Sequence, residues 1–298
     1  MPDIPDQKAH LHPQKNRRPA LTNRKKASTE IKTATHYAEL AVTSNFTFLT
    51  GASHPEELVH RAAELGYAAI SMTDRNSLAG IVRAHVAAKD ASIPLIVGCR
   101  LTFTTPEWLT LLVYPTDRPS YGRLCRLLTV GKRRSPKGQC SLTLDDLMEH
   151  HEGLLAVILP PNQMNPDALP ELRRLKEVLN DDRLSLAITR LYGPNDQERN
   201  QRGKDFSELF NIPIVAVNDV YYHVPNRRPL QDVVTCIRHT CKITEAGFRL
   251  FPNGERYLKE PQELARLFAD EPDALARTVE IAERAQAFNL DQLRYEYP

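Results

Sequence analysis

Short apolar, β-branched runs alternate with stretches of helical periodicity from Tyr37 onward. The runs cover Tyr37 to Thr43, Ala68 to Thr73, Pro94 to Phe103, Trp108 to Tyr114, Leu154 to Leu159, Leu184 to Thr189 and Pro213 to Val217. Each has the length of a strand, and several are apolar throughout, as strands buried on both faces are. After the first run, Ser53 reads as a helix N-cap with Glu56 as its capping-box partner; Leu58, Ala62 and Leu65 fall along one face, and Gly66 ends the helix. Over Leu78 to Lys89, the spacing of Leu78, Ile81, Val82 and Val86 predicts a second helix with a stripe packed on a sheet. Strands alternating with helices predict an α/β fold, a parallel barrel more than an open doubly wound sheet. Farther on, Arg227 to Thr240 and Pro261 to Phe288 read as helices that pack as a cap beside the barrel, with Leu264, Leu267, Phe268, Leu275, Val279 and Ala282 near helical spacing.

Composition narrows the setting. A chain of 298 residues, 41% hydrophobic, can fill one barrel-sized core. Its 39 basic and 37 acidic residues give a net charge of only +2, so any basic surface is local. Residues 1–36 are the exception. They are rich in lysine, arginine and proline and poor in large apolar side chains, which predicts a disordered basic tail able to touch nucleic-acid phosphates or simply remain solvated. His10 and His12 form an H-x-H pair there, and Pro2-Asp3-Ile4-Pro5-Asp6 a pair of aspartates, but a tail has no core to hold either as metal ligands. Five cysteines without a C-x-x-C pair or a secretory segment predict a reduced, cytoplasmic protein, and no apolar run approaches membrane-spanning length.

Candidate chemistry concentrates in Met72-Thr73-Asp74-Arg75-Asn76-Ser77-Leu78-Ala79-Gly80, where a strand gives way to a helix. Barrel folds gather functional side chains at such strand ends. Asp74 is a site candidate, and Arg75 places a permanent cation where a metal site would want a neutral imidazole. The eight histidines after residue 35 show no repeated metal-ligand spacing; His223, just past the last strand, is the least settled of them. The basic loop Gly131-Lys-Arg-Arg-Ser-Pro-Lys-Gly138 is a candidate for nucleic-acid backbone contact or for solvation. Phosphate-loop, dinucleotide-fingerprint and nucleophile-elbow patterns are missing.

Four ordered blocks carry a resemblance: Tyr37-Ala-Glu-Leu-Ala-Val-Thr-Ser-Asn-Phe-Thr-Phe-Leu-Thr-Gly51-Ala52-Ser53, the Met72 to Gly80 segment, Ile96-Val-Gly-Cys-Arg100 and Val217-Asn-Asp-Val-Tyr-Tyr222. They resemble the motifs of the polymerase and histidinol phosphatase (PHP) domain, and most closely its version at the N-terminus of bacterial error-prone C-family DNA polymerases, relatives of the polymerase III α subunit. The resemblance runs from about Tyr37 to the last residue. It implies a distorted seven-stranded (β/α) barrel over residues 37–225, a helical extension over 226–298, and a junction at Leu290 to Pro298 leading toward a polymerase palm that this chain lacks.

Metal-binding members carry an H-x-H, a Thr-Asp-His, a Gly-x-Glu and an Asp-x-His at these blocks. Matched residue by residue, the H-x-H falls on Ala41 and Thr43; Asp74 stands, its histidine partner is Arg75, and the glutamate is Arg100. A further histidine place is Trp108, and the Asp-x-His reads Asp219 with Tyr221. The resemblance therefore implies a degenerate metal site, with no bound metal or other cofactor expected in this chain and magnesium belonging to the absent palm. Arg75 or Arg100 facing Asp74 or Asp219 would replace metal charge by an internal ion pair, because a guanidinium stays charged and forks onto a carboxylate. The expected role is structural support of a polymerase that copies damaged DNA and serves repair, reaching DNA through the larger enzyme and contacting its remainder or accessory repair proteins, with no polymerase activity in this chain alone. The alternative is a separate metal-dependent phosphoesterase, and a third reading is a DNA-binding protein acting through the basic tail.

Overall fold

A computed structural model describes residues 36–161 and 169–294. The tail with its H-x-H pair, its aspartates and most of its basic residues lies outside the described residues, as does the end of the polymerase-like junction.

Each apolar run becomes a strand, and one becomes two. Strands β1 (Ala38–Glu39), β2 (Ala69–Met72) and β3 (Leu95–Val97) form a parallel three-stranded sheet. Strands β4 (Cys99–Thr102), β5 (Thr110–Pro115), β6 (Leu154–Ile158), β7 (Leu184–Ile188) and β8 (Ile214–Ala216) form a second sheet in chain order. The break between β3 and β4 falls at Gly98, where a Cβ would lie 2.7 Å from the Ser71 hydroxyl and 2.8 Å from a Thr73 methyl. Glycine lets the chain pass that close and turn from one sheet into the other.

Isolated bridges join the sheets at both seams. Val42 bridges Val220 and Arg75 bridges Arg100, both in parallel sense. The Thr43 N–H donates to the Val220 carbonyl at 2.9 Å, and the Arg100 N–H donates to the Asp74 carbonyl at 3.1 Å. The result is a distorted barrel, and it departs from the expected parallel one at a single strand. β5 is antiparallel to both β4 and β6. The connection from Thr102 to Thr110 is too short for a crossover helix, which parallel pairing requires.

Leu40, Ala41, Ile96, Val157 and Val215 fill the interior, joined by Ile281, Ala282 and Ala285 of helix α9 (Pro272–Ala285). The Thr278 hydroxyl of α9 accepts the Ala38 N–H at 3.2 Å, so this helix seals the end where the strands begin. The opposite end stays polar. Earlier helices cover the outside. Helix α1 (Pro55–Glu64) is capped one residue later than expected, with Glu57 accepting the His54 N–H at 2.9 Å, and Gly66 follows its end at φ 71°. Helix α2 (Ile81–Ala91) buries Ile81, Ala84, Ala87 and Ala88, with Leu78 packed just before it, whereas Val82 and Val86 are exposed, so the expected stripe packs inward at Leu78 and Ile81 and faces out at the two valines. The second sheet is backed by α3 (Arg118–Arg133), α4 (Leu144–Met148), α5 (Leu169–Val178) and α6 (Asp196–Phe210). Helices α7 (Arg228–Arg238) and α8 (Pro261–Leu267) precede α9.

Candidate functional site

The strand ends opposite α9 surround a cavity of about 280 Å³. Thr43, Arg75, Arg100 and Tyr221 line it, so four of the matched positions meet there. Asp74 and Asp219 lie behind this lining. Ala41 instead packs in the barrel interior, and Trp108 is half-buried against the second sheet's core, outside the cavity.

Asp219 is the hub. It follows β8 in the left-handed region, φ 48°, a conformation that aspartate tolerates better than most residues. One carboxylate oxygen accepts from Arg100 and the other from Arg256. Both ion pairs are sheltered from solvent. Burial alone would raise the Asp219 pKa, but the two guanidiniums outweigh it and hold it down at about 2. Arg100 also donates to the Tyr221 hydroxyl at 3.0 Å, and its guanidinium lies 5.6 Å from the Tyr221 ring centre. Arg256 stacks over Phe251 at 4.1 Å. Burial opposes the charge on Arg100, yet Asp219 and the Tyr221 hydroxyl together raise its pKa.

Asp74 is stabilised differently. The expected pairing with arginine occurs at Asp219 and not at Asp74, which accepts from the Ser44 N–H at 2.9 Å, the Ser44 hydroxyl at 2.7 Å and the Thr47 hydroxyl at 2.7 Å. Burial raises its pKa, and these neutral donors oppose that without cancelling it. Arg75 is exposed; its N–H donates to the Thr47 hydroxyl at 3.0 Å, and among the described residues its side chain meets no carboxylate. Its backbone is tied to the strand, which leaves the guanidinium free to face the cavity.

Beneath the mouth is a buried polar layer that the sequence reading did not single out. Glu39, fully buried, accepts from the Tyr37 hydroxyl at 2.8 Å and the Ala41 N–H at 3.0 Å. Desolvation raises its pKa to about 7 despite these donors. Lys259 is equally buried and donates to the Asn218 side-chain oxygen at 3.2 Å, with burial lowering its pKa. Arg256, Glu39 and Lys259 were missed because each reads locally as an ordinary charged residue. Only the fold brings them under one barrel end. His223 shares a 2.8 Å hydrogen bond with Ser53, which ties the loop before α1 to the chain after β8. The basic loop divides: Arg134 forks onto Asp146 at 2.8 Å, while Lys132 and Lys137 line a wider cleft of about 780 Å³ that shares Arg75 with the mouth cavity. Among the described residues, no group of three or more His, Cys, Asp or Glu side chains is placed to hold a metal ion.

This architecture defines a PHP-type barrel, and the family model of the PHP domain matches residues 39–191. The chain belongs to the PHP domain family. It is 50% identical over 262 residues to an error-prone DNA polymerase of Caulobacter vibrioides, covering 88% of this chain and 24% of that protein. It is 49% identical over 265 residues to error-prone DNA polymerase 1 of Agrobacterium fabrum, again covering 24% of the relative. The chain thus spans about a quarter of the length of these curated relatives. Among solved structures, an amidohydrolase from Chromobacterium violaceum aligns with a TM-score of 0.47 at 15% identity, over 62% of this chain and 87% of that one. Among the described residues, no helix is long and apolar enough to cross a membrane.

Proposed function

We propose that this chain is the PHP part of an error-prone DNA polymerase that copies damaged DNA, and that it supports the enzyme structurally instead of hydrolysing phosphoesters. The observation that carries this reading is the pairing of both Asp219 oxygens with Arg100 and Arg256. A divalent ion at the mouth would need free carboxylate or imidazole donors. Asp219 has none to offer, and Arg75 and Arg100 bring positive charge where the ion would sit. The residues present do not fit a metal. Fixed guanidiniums instead supply the charge balance that keeps a buried carboxylate at the barrel mouth folded.

Polymerisation would belong to a palm domain with its own magnesium, and contact with DNA would come through the larger enzyme. An interaction role is supported by the exposed Leu230, Val233 and Ile237 of α7 with nearby Ile243 and Phe248. The remainder of a polymerase about four times longer than this chain would cover that face. Five unpaired cysteines, among them the buried Cys99 with its thiol pushed up to about 12, suit a reduced cytoplasm. Incubation of the purified chain with a model phosphodiester and manganese tests the reading: no turnover is expected. Turnover abolished by Asp74→Ala would overturn it in favour of a metal-dependent phosphoesterase.

A further inference from the structure

We propose that the barrel mouth is a metal-free oxyanion site that takes a phosphate group. Among the described residues, every charged one lining the small cavity is an arginine: Arg75, Arg100 and Arg238. Neither Arg75 nor Arg238 has a carboxylate partner among the described residues, although Arg238 is steadied by a 2.7 Å hydrogen bond to the Thr50 hydroxyl. With Arg256 behind, the mouth holds four arginines against two aspartates, and both aspartates already have their oxygens hydrogen-bonded. Two positive charges are left for a ligand.

Unpartnered polar atoms point to the same place. The Thr43 hydroxyl, the Nε of Arg100 and the side-chain oxygen of Gln231 are all buried without a hydrogen-bond partner, and all three residues line the cavity. Buried polar atoms are normally satisfied, so these three leave unmet hydrogen-bonding capacity in the residues of the cavity wall. Thr43 and Arg100 are donors suited to an oxyanion. Gln231 becomes one when its amide turns over, since its present partner, the Thr235 hydroxyl at 2.9 Å, can donate as well as accept.

A tetrahedral dianion fits this set better than a planar carboxylate. Guanidiniums approach from Arg75, Arg238 and Arg100, and a hydroxyl from Thr43, giving donors from several directions and the charge that a doubly ionised phosphate needs. A cavity of about 280 Å³ has room for a phosphate with several waters around it, each taking about 30 Å³. The rest of a phosphorylated molecule would lie in the outer cleft of about 780 Å³, which shares Arg75 and Arg238, adds Lys132 and Lys137, and has Phe48, 79% exposed, on its wall. An exposed aromatic beside a basic track is the arrangement that stacks bases of a single strand. The site therefore takes either free phosphate or the terminal phosphate of a nucleic-acid strand. The inference rests on the metal-free reading above.

Titration calorimetry of the full chain tests it, with inorganic phosphate in buffer containing EDTA, and then with one oligodeoxynucleotide in 5′-phosphorylated and 5′-hydroxyl forms. Saturable phosphate binding is expected, weakened by about tenfold or more in Arg75→Gln and in Arg238→Gln, whose side chains are exposed. Arg174→Gln, at a surface ion pair elsewhere, leaves it unchanged. Tighter binding of the phosphorylated strand identifies a strand end as the source; equal binding of the two strands identifies free phosphate. Phosphate binding that the two variants leave intact would overturn the site, as would no binding with or without added manganese, and neither result touches the metal-free reading. Binding that appears only with manganese would overturn both.

Discussion

Asp219 shows how one residue can settle the chemistry of a barrel mouth. Its carboxylate is caught between two guanidiniums that are themselves sheltered by Tyr221 and Phe251. Removing one partner of a buried ion pair leaves the others uncompensated, so Asp219→Asn is expected to cost about 3–5 kcal/mol in urea unfolding. An unchanged midpoint would show that the pairs are loose. The pH dependence carries a sign that can be checked. Asp219 falls from an ordinary 3.8 to about 2, so its contribution of about 2 kcal/mol is present above pH 3.8 and is lost as pH falls through about 2. Glu39 acts oppositely. Its carboxyl rises from 4.5 to about 7, so the folded state holds the proton more tightly, and stability present below pH 4.5 is lost as pH rises through about 7, by about 3 kcal/mol. Glu39→Gln should flatten unfolding free energy across that interval; an unaltered slope would assign the effect to another group.

At the scale of elements, the strands were legible because their burial on both faces makes them continuous apolar runs. The Pro94 to Phe103 run hid its division into β3 and β4, since the bend depends on the closeness of Ser71, Thr73 and Tyr114 to Gly98, which no local pattern encodes. Gly98→Ala should cost about 1–3 kcal/mol by overpacking, read from the thermal unfolding midpoint. The face of α2 was misread at Val82 and Val86 for a physical reason: the valines outweigh alanines in any hydrophobic pattern, yet the close approach of α2 to its neighbours suits Ala84, Ala87 and Ala88 beside Ile81. Val82→Ser and Val86→Ser should therefore change stability by about 0.5 kcal/mol or less. A loss of several kcal/mol would place the two valines in the core. The site was legible in part. Arg100 and Asp219 stood out as matched positions carrying the wrong and the right charge, whereas Arg256 and Arg238 sit on later segments whose approach to the mouth only the tertiary structure reveals.

The molecule as a whole joins a barrel sealed at one end by α9 to a polar mouth at the other, with α7 supplying Gln231 and Arg238 and the segment before α8 supplying Arg256 to that mouth. This dependence on the extension explains why the barrel motifs alone leave the site incomplete. It also places the exposed apolar face of α7 on the same helix as Arg238, so that face and the mouth share an element. The central claim, that arginine has replaced metal as the source of positive charge, is tested most directly by elemental analysis of protein purified without chelator, paired with its unfolding temperature before and after EDTA. No stoichiometric zinc, manganese or iron and an unmoved unfolding temperature are expected. A bound ion near one per chain, with an unfolding temperature that drops when EDTA removes it, would contradict the account.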